Sequence, residues 1–122
     1  MQGKIKTRQG WLWYENASES FADNCNIKDY QSVFVIERLV IKPSCRGRGH
    51  GTAMLQDIIS LARKLGYKYI TLIAWPLDSH GAPLKEYEDD FACRQNRLFS
   101  YYRGFGFRLV RWIETGYMKM RL

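Results

Sequence analysis

The sequence is poor in the residues that hold metal ions and disulfide bonds. It has 3 cysteines and 2 histidines in 122 residues, and no two cysteines are spaced as C-x-x-C. An odd number of dispersed cysteines predicts neither a disulfide framework nor a zinc site, so we expect no bound metal. Apolar runs are also short, since none approaches the ~18 residues of a membrane span and no signal-type apolar segment follows Met1. We therefore expect a soluble, cytoplasmic protein without membrane contact.

The length and composition suit one small domain. With 46% hydrophobic and 15% aromatic residues, 122 residues can fill one core. We expect a single domain over residues 1–122, as a monomer or homodimer. The 19 Lys and Arg residues outnumber the 12 Asp and Glu residues, which gives a net charge of +7. This excess suits a phosphate-bearing ligand, an acidic protein or nucleic acid, and the charge alone does not choose between them.

Hydrophobic periodicity predicts a mixed order of strands and helices. The expected elements are strands at 4–7 and 11–15, a polar loop with one helical turn at 16–31, a strand at 33–42, a helix at 52–65, a strand at 69–75, a polar stretch to 88, a helix at 90–103, and a hairpin of strands 107–113 and 117–121. An ordinary crossover through the first long helix makes its two flanking strands parallel.

A glycine string separates the central strand from the first long helix. Residues 46–51 read Arg46-Gly47-Arg48-Gly49-His50-Gly51. Alternating glycines let successive N–H groups converge, and a helix that begins there adds its unpaired first-turn N–H groups. The pattern predicts an anion site. Its spacing fits neither a Walker-type loop, which needs Gly-Lys followed by Ser or Thr, nor the dinucleotide fingerprint G-x-G-x-x-G.

The string does fit [Q/R]-x-x-G-x-[G/A] through Arg46, Gly49 and Gly51. Together with the strand before it, the run from 37 to 51 resembles the GCN5-related N-acetyltransferase (GNAT) family, in which this loop grips the pyrophosphate of acetyl-coenzyme A. Pro43, three residues before Arg46, also matches the family.

A second motif of the family is recognisable in the run from 95 to 107. There a helix carries a tyrosine four residues before Gly-Phe, and Tyr102 has this position. Family members often have Asn seven residues before the tyrosine, where this chain has Gln95 followed by Asn96. A helix turns by about 100° per residue, so Asn96 points in another direction than the family's Asn.

The resemblance implies an α/β fold: a GNAT-like mixed, mostly antiparallel sheet with a central parallel βαβ unit and splayed strands. It also implies an N-acetyltransferase that uses acetyl-coenzyme A as cosubstrate and acts by direct attack in a ternary complex. The cofactor-binding residues that it implies are Leu39, Val40, Ile41, Arg46, Gly47, Arg48, Gly49, His50, Gly51, Thr52 and Asn96.

Two residues are candidates for catalysis. Glu37 is the acidic residue within the central strand and can serve as the base that deprotonates the amine, although pairing with Arg38 or with a cation of a neighbouring strand would also explain it. Tyr102 can donate to or protonate the leaving thiolate, and its alternative is a core aromatic residue. We expect His50 and His80 to be structural or solvated rather than basic catalysts.

The acceptor is the least determined part of the prediction. About 32 residues precede the central strand, too few for the two helices that wall off the acceptor pocket in relatives. An open site suits a protein lysine or N-terminal amine. This compact chain also loosely resembles a short phage-encoded acetyltransferase that modifies a bacterial defence nuclease. The resemblance lies in the strand that ends with Ala74-Trp75-Pro76-Leu77-Asp78. The alternative is a GNAT-fold basic module, catalytically weak or inactive, that binds an acidic protein or nucleic acid.

Overall fold

A mixed sheet organises the part of the chain that the computed structural model describes, which comprises residues 2–8, 10–42, 45, 47–78, 82–110 and 116–122. The strands in this part are β1 (Gln2–Lys6), β2 (Gly10–Asn16), β3 (Val33–Ile41), β4 (Tyr69–Ile73), β5 (Arg108–Leu109) and β6 (Tyr117–Arg121). The helices in the same part are α1 (Glu19–Asn24), α2 (His50–Lys64), α3 (Phe91–Arg103) and a 3-10 turn at Tyr30–Ser32.

The sheet order among the described strands is β1-β2-β3-β4-β6-β5. β3 and β4 are parallel and α2 connects them, whereas the pairs β1·β2, β2·β3, β4·β6 and β5·β6 are antiparallel. The predicted mixed, mostly antiparallel sheet with a central parallel βαβ unit is therefore confirmed.

α2 forms because its apolar residues recur at helical spacing and lie on one face. The buried positions are Met54, Leu55, Ile58, Ile59 and Ala62, and the basic Arg63 and Lys64 occupy the last turn, where they complement the helix dipole. The helix begins at His50, two residues before the predicted start, because Gly49 already serves as its N-cap.

Alternate residues of β3 lie in two separate apolar clusters. Phe34 and Ile36 pack with α2 residues, and partly buried side chains of α3 join this cluster. Val33 and Val35 pack instead with Ala22 of α1 and with Cys25. Since successive side chains of a strand point to opposite faces, α2 and α3 cover one face of the sheet and α1 covers the other.

Three segments differ from the sequence prediction. The polar loop at 16–31 contains a six-residue helix, α1, whose first turn is capped by the Ser18 hydroxyl, which accepts from the Phe21 N–H at 3.1 Å. β4 ends at Ile73 rather than Trp75. In the predicted hairpin, β5 is a strand over two described residues, while Glu114 and Thr115 of the predicted turn lie outside the described residues.

Candidate functional site

A β-bulge at Glu37 interrupts the regular pairing of the central strand. β2 and β3 pair Trp13 with Arg38 but Tyr14 with Ile36, so Glu37 has no opposite residue. The parallel pairing of β3 with β4 ends at the same level, at Ile36 opposite Leu72. Beyond it, β3 continues along β2 while β4 continues along β6. The two parallel strands therefore separate at the bulge, as the predicted splay requires.

A cavity of about 770 Å³ occupies this gap. β3 contributes Glu37 to Ile41, the first turn of α2 contributes Gly51, β4 contributes its last residue, Ile73, and the segment after β4 contributes residues 75–78. α3 closes the remaining side with Arg94, Arg97, Leu98, Tyr101 and Tyr102. The cavity thus brings together six of the sequence-predicted site residues, namely Glu37, Leu39, Val40, Ile41, Gly51 and Tyr102.

The first turn of α2 meets one end of this cavity. Gly49, the N-cap, has a left-handed backbone with φ of 82°, and no side chain caps the helix. The Ala53 N–H donates to the Gly49 carbonyl at 3.0 Å, so the N–H groups of His50, Gly51 and Thr52 precede the helical hydrogen bonds. A Cβ added at Gly49 would meet nothing within 4 Å. These features form a concave, donor-rich end that suits an anion.

The other residues predicted in this loop are placed less completely. Gly47 is also left-handed, with φ of 78°, and Arg48 is exposed. Arg46, with Pro43 and Ser44, lies outside the described residues.

Two adjacent tyrosines of α3 line the cavity in different ways. The Tyr102 ring packs edge-on against Phe107 and Tyr101, and burial raises the pKa of Tyr102 to about 12. Tyr101 is partly exposed, and its hydroxyl shares a hydrogen bond of 2.9 Å with the Thr52 hydroxyl at the start of α2. Tyr101 was not singled out by the sequence analysis. Its position next to Tyr102 turns it about 100° around the helix, which directs it to α2.

Glu37 lies at the opposite end of the cavity from α2. Its pKa is raised, first by partial desolvation and then by the neighbouring Glu15 carboxyl, which is within hydrogen-bonding reach, while the positive charge of Arg38 lowers it. Glu37 and Arg38 are both described residues and no ion pair joins them; the Arg38 guanidinium instead lies 5.9 Å from the Trp13 ring centroid. Among these side chains, Glu15 is the functional candidate that the sequence did not single out.

The segment after β4 is held by polar contacts with Leu84 and with α3. The Trp75 indole N–H donates to the Leu84 carbonyl at 2.7 Å, and the Arg94 guanidinium donates to the Leu77 carbonyl at 2.9 Å. Gln95, at the family's Asn position, donates to the Ala74 carbonyl at 3.2 Å. These bonds hold the wall of the cavity that Trp75 and Leu77 provide.

Asn96 does not line the cavity. Asn96 is exposed and lines a shallow depression on the outer side of α3 with Cys93, Arg97 and Ser100. His80 lies outside the described residues.

The described residues contain no group of three or more His, Cys, Asp or Glu side chains arranged to hold a metal ion. None of the helices in the described ranges combines the length and apolar character that crossing a bilayer demands.

The sequence matches one protein family, described as the Acetyltransferase (GNAT) family, over residues 11–82. No curated protein matches the chain. Among solved structures, the anti-CRISPR protein AcrVA5 has a TM-score of 0.64 at 17% identity, and the match covers 97% of this chain and 96% of that protein.

Two further similar structures contain coenzyme A. The PaiA N-acetyltransferase of Thermoplasma acidophilum has a TM-score of 0.57 at 16% identity, with 93% of this chain and 54% of that protein covered. The GNAT family N-acetyltransferase YhbS of Escherichia coli has a TM-score of 0.57 at 12% identity, with 93% and 51% covered. The chain therefore spans about half the length of these two enzymes, and at such identities the likeness shows the fold.

Proposed function

This chain belongs to the acetyltransferase (GNAT) family, and we propose that it transfers the acetyl group of acetyl-coenzyme A to a primary amine by direct attack in a ternary complex. The observation that carries the proposal is the cavity at the separated strands. It is lined by Gly51 at the donor-rich start of α2, by Glu37 and by Tyr102. We place the reaction in the cytoplasm, where this cosubstrate would be met.

Acetyl-coenzyme A is the cosubstrate of this family, and the geometry of the described residues fits it. The N–H groups at the start of α2 and the open space beside Gly47 and Gly49 suit the pyrophosphate. The backbone of Leu39, Val40 and Ile41 borders the gap left by β4 and suits the amides of the pantetheine arm, as an added strand would. When bound, acetyl-coenzyme A supplies the acetyl thioester.

The acceptor amine has to lose a proton before it can attack. A lysine amine with a pKa near 10.4 is neutral in only about one molecule in 2,500 at pH 7, a cost of about 4.6 kcal/mol. Glu37 borders the cavity, and its raised pKa makes its carboxylate a better proton acceptor than an isolated one. Glu37 is therefore the base that the proposal assigns.

Tyr102 serves the leaving thiolate as a hydrogen-bond donor. A thiol such as that of coenzyme A has a pKa near 8.5 by analogy with cysteine, whereas burial raises the pKa of Tyr102 to about 12. Full proton transfer would be uphill by about 3.5 units, or about 5 kcal/mol at 1.36 kcal/mol per unit. A neutral hydroxyl that donates a hydrogen bond avoids this cost, and water then supplies the proton.

The acceptor that we propose is a lysine or N-terminal amine on a protein. β1 and β2 follow each other through a tight turn closed by the Thr7 N–H and the Gly10 carbonyl at 2.9 Å, so no helix stands between these strands. The match to the anti-CRISPR protein AcrVA5 covers nearly the whole of both chains. This likeness supports a protein of a CRISPR system as the first acceptor to test.

The test measures cosubstrate binding and turnover separately. Acetyl-coenzyme A at about 100 times its Kd should add about 2.7 kcal/mol of stability, seen as a rise in melting temperature. Acetylated products on added CRISPR proteins and on lysine peptides are then detected by mass spectrometry together with release of the free thiol. Absence of a melting shift at millimolar acetyl-coenzyme A in a folded sample contradicts the proposal. A shift without any product favours the inactive binding module.

A further inference from the structure

A second cavity, of about 460 Å³, lies on the face of the sheet that α1 covers. It shares three lining residues with the first cavity, namely Glu37, Arg38 and Ile73. The two cavities therefore adjoin at the bulge, where β3 and β4 separate.

The bulge sets the composition of the second cavity. Trp13 and Glu15 are two residues apart on β2 and share a face, with Arg38 opposite Trp13 and Val35 opposite Glu15. Val35 and Arg38 can share this face because the bulge adds one residue between them. Phe21 of α1 completes an aromatic side. A carboxyl pair and two aromatic rings thus surround the space behind Glu37.

We propose that the second cavity is the acceptor subsite and that it takes an alkylammonium group, such as a lysine side chain, between the carboxyl groups of Glu15 and Glu37. This inference rests on the proposed acetyl transfer and names its substrate class. Carboxylates satisfy the charge and the donors of an ammonium group, and aromatic faces attract cations. Lys4 already shows this property of Trp13, because its Nζ lies 4.9 Å from the Trp13 ring centroid.

Besides contacting the ammonium group, Glu15 acts on Glu37. The Gln2 side-chain amide donates to Glu15 Oε2 at 3.1 Å, which orients that carboxyl group. The nearby negative charge of Glu15 raises the pKa of Glu37, so the Glu37 carboxylate accepts a proton more readily. The titratable groups that border the two cavities around Glu37 are Glu15, Arg38, Asp78, Arg94, Arg97, Tyr101, Tyr102 and Tyr117, while α1 and β4 contribute the apolar Phe21 and Ile73.

The proton and bond changes balance without a further reactant. The bound ammonium gives one proton to the Glu37 carboxylate and becomes a neutral amine. Its nitrogen lone pair then forms the new bond to the acetyl carbon, and the electron pair of the broken carbon–sulfur bond leaves on the thiolate. The second nitrogen proton passes through water to that thiolate, so the products are the neutral amide and the free thiol, and Glu37 later returns its proton to solvent.

The test compares two charge-neutralising variants, Glu15→Gln and Glu19→Gln. Glu19 lies exposed in the first turn of α1 and its substitution changes the net charge equally, so it is the matched control. The probes are a blocked pentapeptide with one lysine among glycines and the same peptide with norleucine, titrated calorimetrically with and without coenzyme A. The lysine peptide should bind at least about tenfold more tightly than the norleucine peptide, and Glu15→Gln should weaken it about fivefold, as expected for a partly exposed ion pair.

A pH profile distinguishes an effect of Glu15 on the pKa of Glu37 from a purely structural effect of the substitution. In Glu15→Gln the acidic limb of kcat/KM for the lysine peptide should move to lower pH, because Glu37 loses the charge that raises its pKa, while Glu19→Gln should leave it in place. The Glu15→Asp variant should restore binding. Equal binding of the two peptides by the wild-type chain, or equal behaviour of Glu15→Gln and Glu19→Gln, overturns the assignment. The titration without coenzyme A keeps this result separate from a failure of cosubstrate binding.

Discussion

The two ends of α2 offer a matched pair of substitutions that isolates the anion site. Gly49 at the start and Gly66 after the end have left-handed backbones, with φ of 82° and 86°, and a Cβ added at either would meet nothing within 4 Å. Gly49→Ala and Gly66→Ala therefore impose the same kind of backbone strain without a clash inside the chain. They differ in that only Gly49 stands beside the first-turn N–H groups of α2.

The expected magnitudes follow from the strain and from the linkage of binding to stability. An alanine in the left-handed region costs about 1–2 kcal/mol. With about 2.1 cal/mol/K of unfolding entropy per residue and 122 residues, this lowers the melting temperature by about 4–8 °C for both variants. Acetyl-coenzyme A at 100 times the wild-type Kd raises the melting temperature of the wild type by about 10 °C. If the added methyl group weakens binding tenfold, the rise falls to about 5 °C in Gly49→Ala.

Thermal melts of the three proteins, with and without acetyl-coenzyme A at one fixed concentration, measure both quantities. Without ligand, we expect Gly66→Ala and Gly49→Ala to have melting temperatures equally far below that of the wild type. Gly66→Ala should keep the full ligand-induced rise in melting temperature, whereas Gly49→Ala should lose at least half of it. A full rise in Gly49→Ala refutes the placement of the anion at this helix start. An equal loss in both variants shows that strain, rather than the site, changes binding.

Four other outcomes are expected. Tyr102→Phe should retain the ligand-induced melting shift and lower kcat about 10²-fold, as for one preorganised donor, and an unchanged single-turnover rate contradicts this role. The pKa of Tyr102 is raised to about 12 in the folded chain from a value near 10 in the unfolded chain, so its neutral hydroxyl contributes its full stabilisation below pH 10. This contribution is lost as the pH rises through 12, and thermal melts at alkaline pH can measure the loss. Glu37→Gln should show a rate deficit that shrinks as the pH rises and the amine deprotonates unaided, whereas a deficit independent of pH excludes a base. Thr71→Val removes the bond that the fully buried Thr71 hydroxyl donates to the Phe34 carbonyl at 3.0 Å, so urea unfolding should report a loss of about 1 kcal/mol; an unchanged midpoint contradicts it.

Local patterns predicted the parts of the site that depend on neighbouring residues in sequence. The glycine string and the amphipathic run after it define the start of α2, since left-handed glycines and apolar spacing act over a few residues. The order strand, helix, strand then requires a parallel pair. The position of Tyr102 on the cavity wall was likewise accessible, because it depends on one helix and the motif that follows it.

Features that depend on pairing between distant residues could not be predicted from the sequence. The bulge at Glu37 exists only in the register between β2 and β3, and the proximity of Glu15 to Glu37 follows from that register. A period-two pattern contains no signal for one extra residue, because the alternation on each side of the bulge is intact. The contact of Gln95 could not be predicted either, because its hydrogen bond to the Ala74 carbonyl joins residues 21 positions apart.

The bulge links the two halves of the proposed site. If β3 were regular beyond Ile36, it could continue to pair with β4, and the backbone of Leu39 to Ile41 would then be closed to a ligand. The same extra residue turns Glu37 and Arg38 toward the face of α1, where Glu15 lies. One inserted residue therefore both opens the gap for the cosubstrate and brings the carboxyl pair to its far side. Deleting Glu37 should consequently remove cosubstrate binding and lysine-peptide binding together, whereas Glu37→Gln should preserve the gap, and with it the melting shift caused by acetyl-coenzyme A.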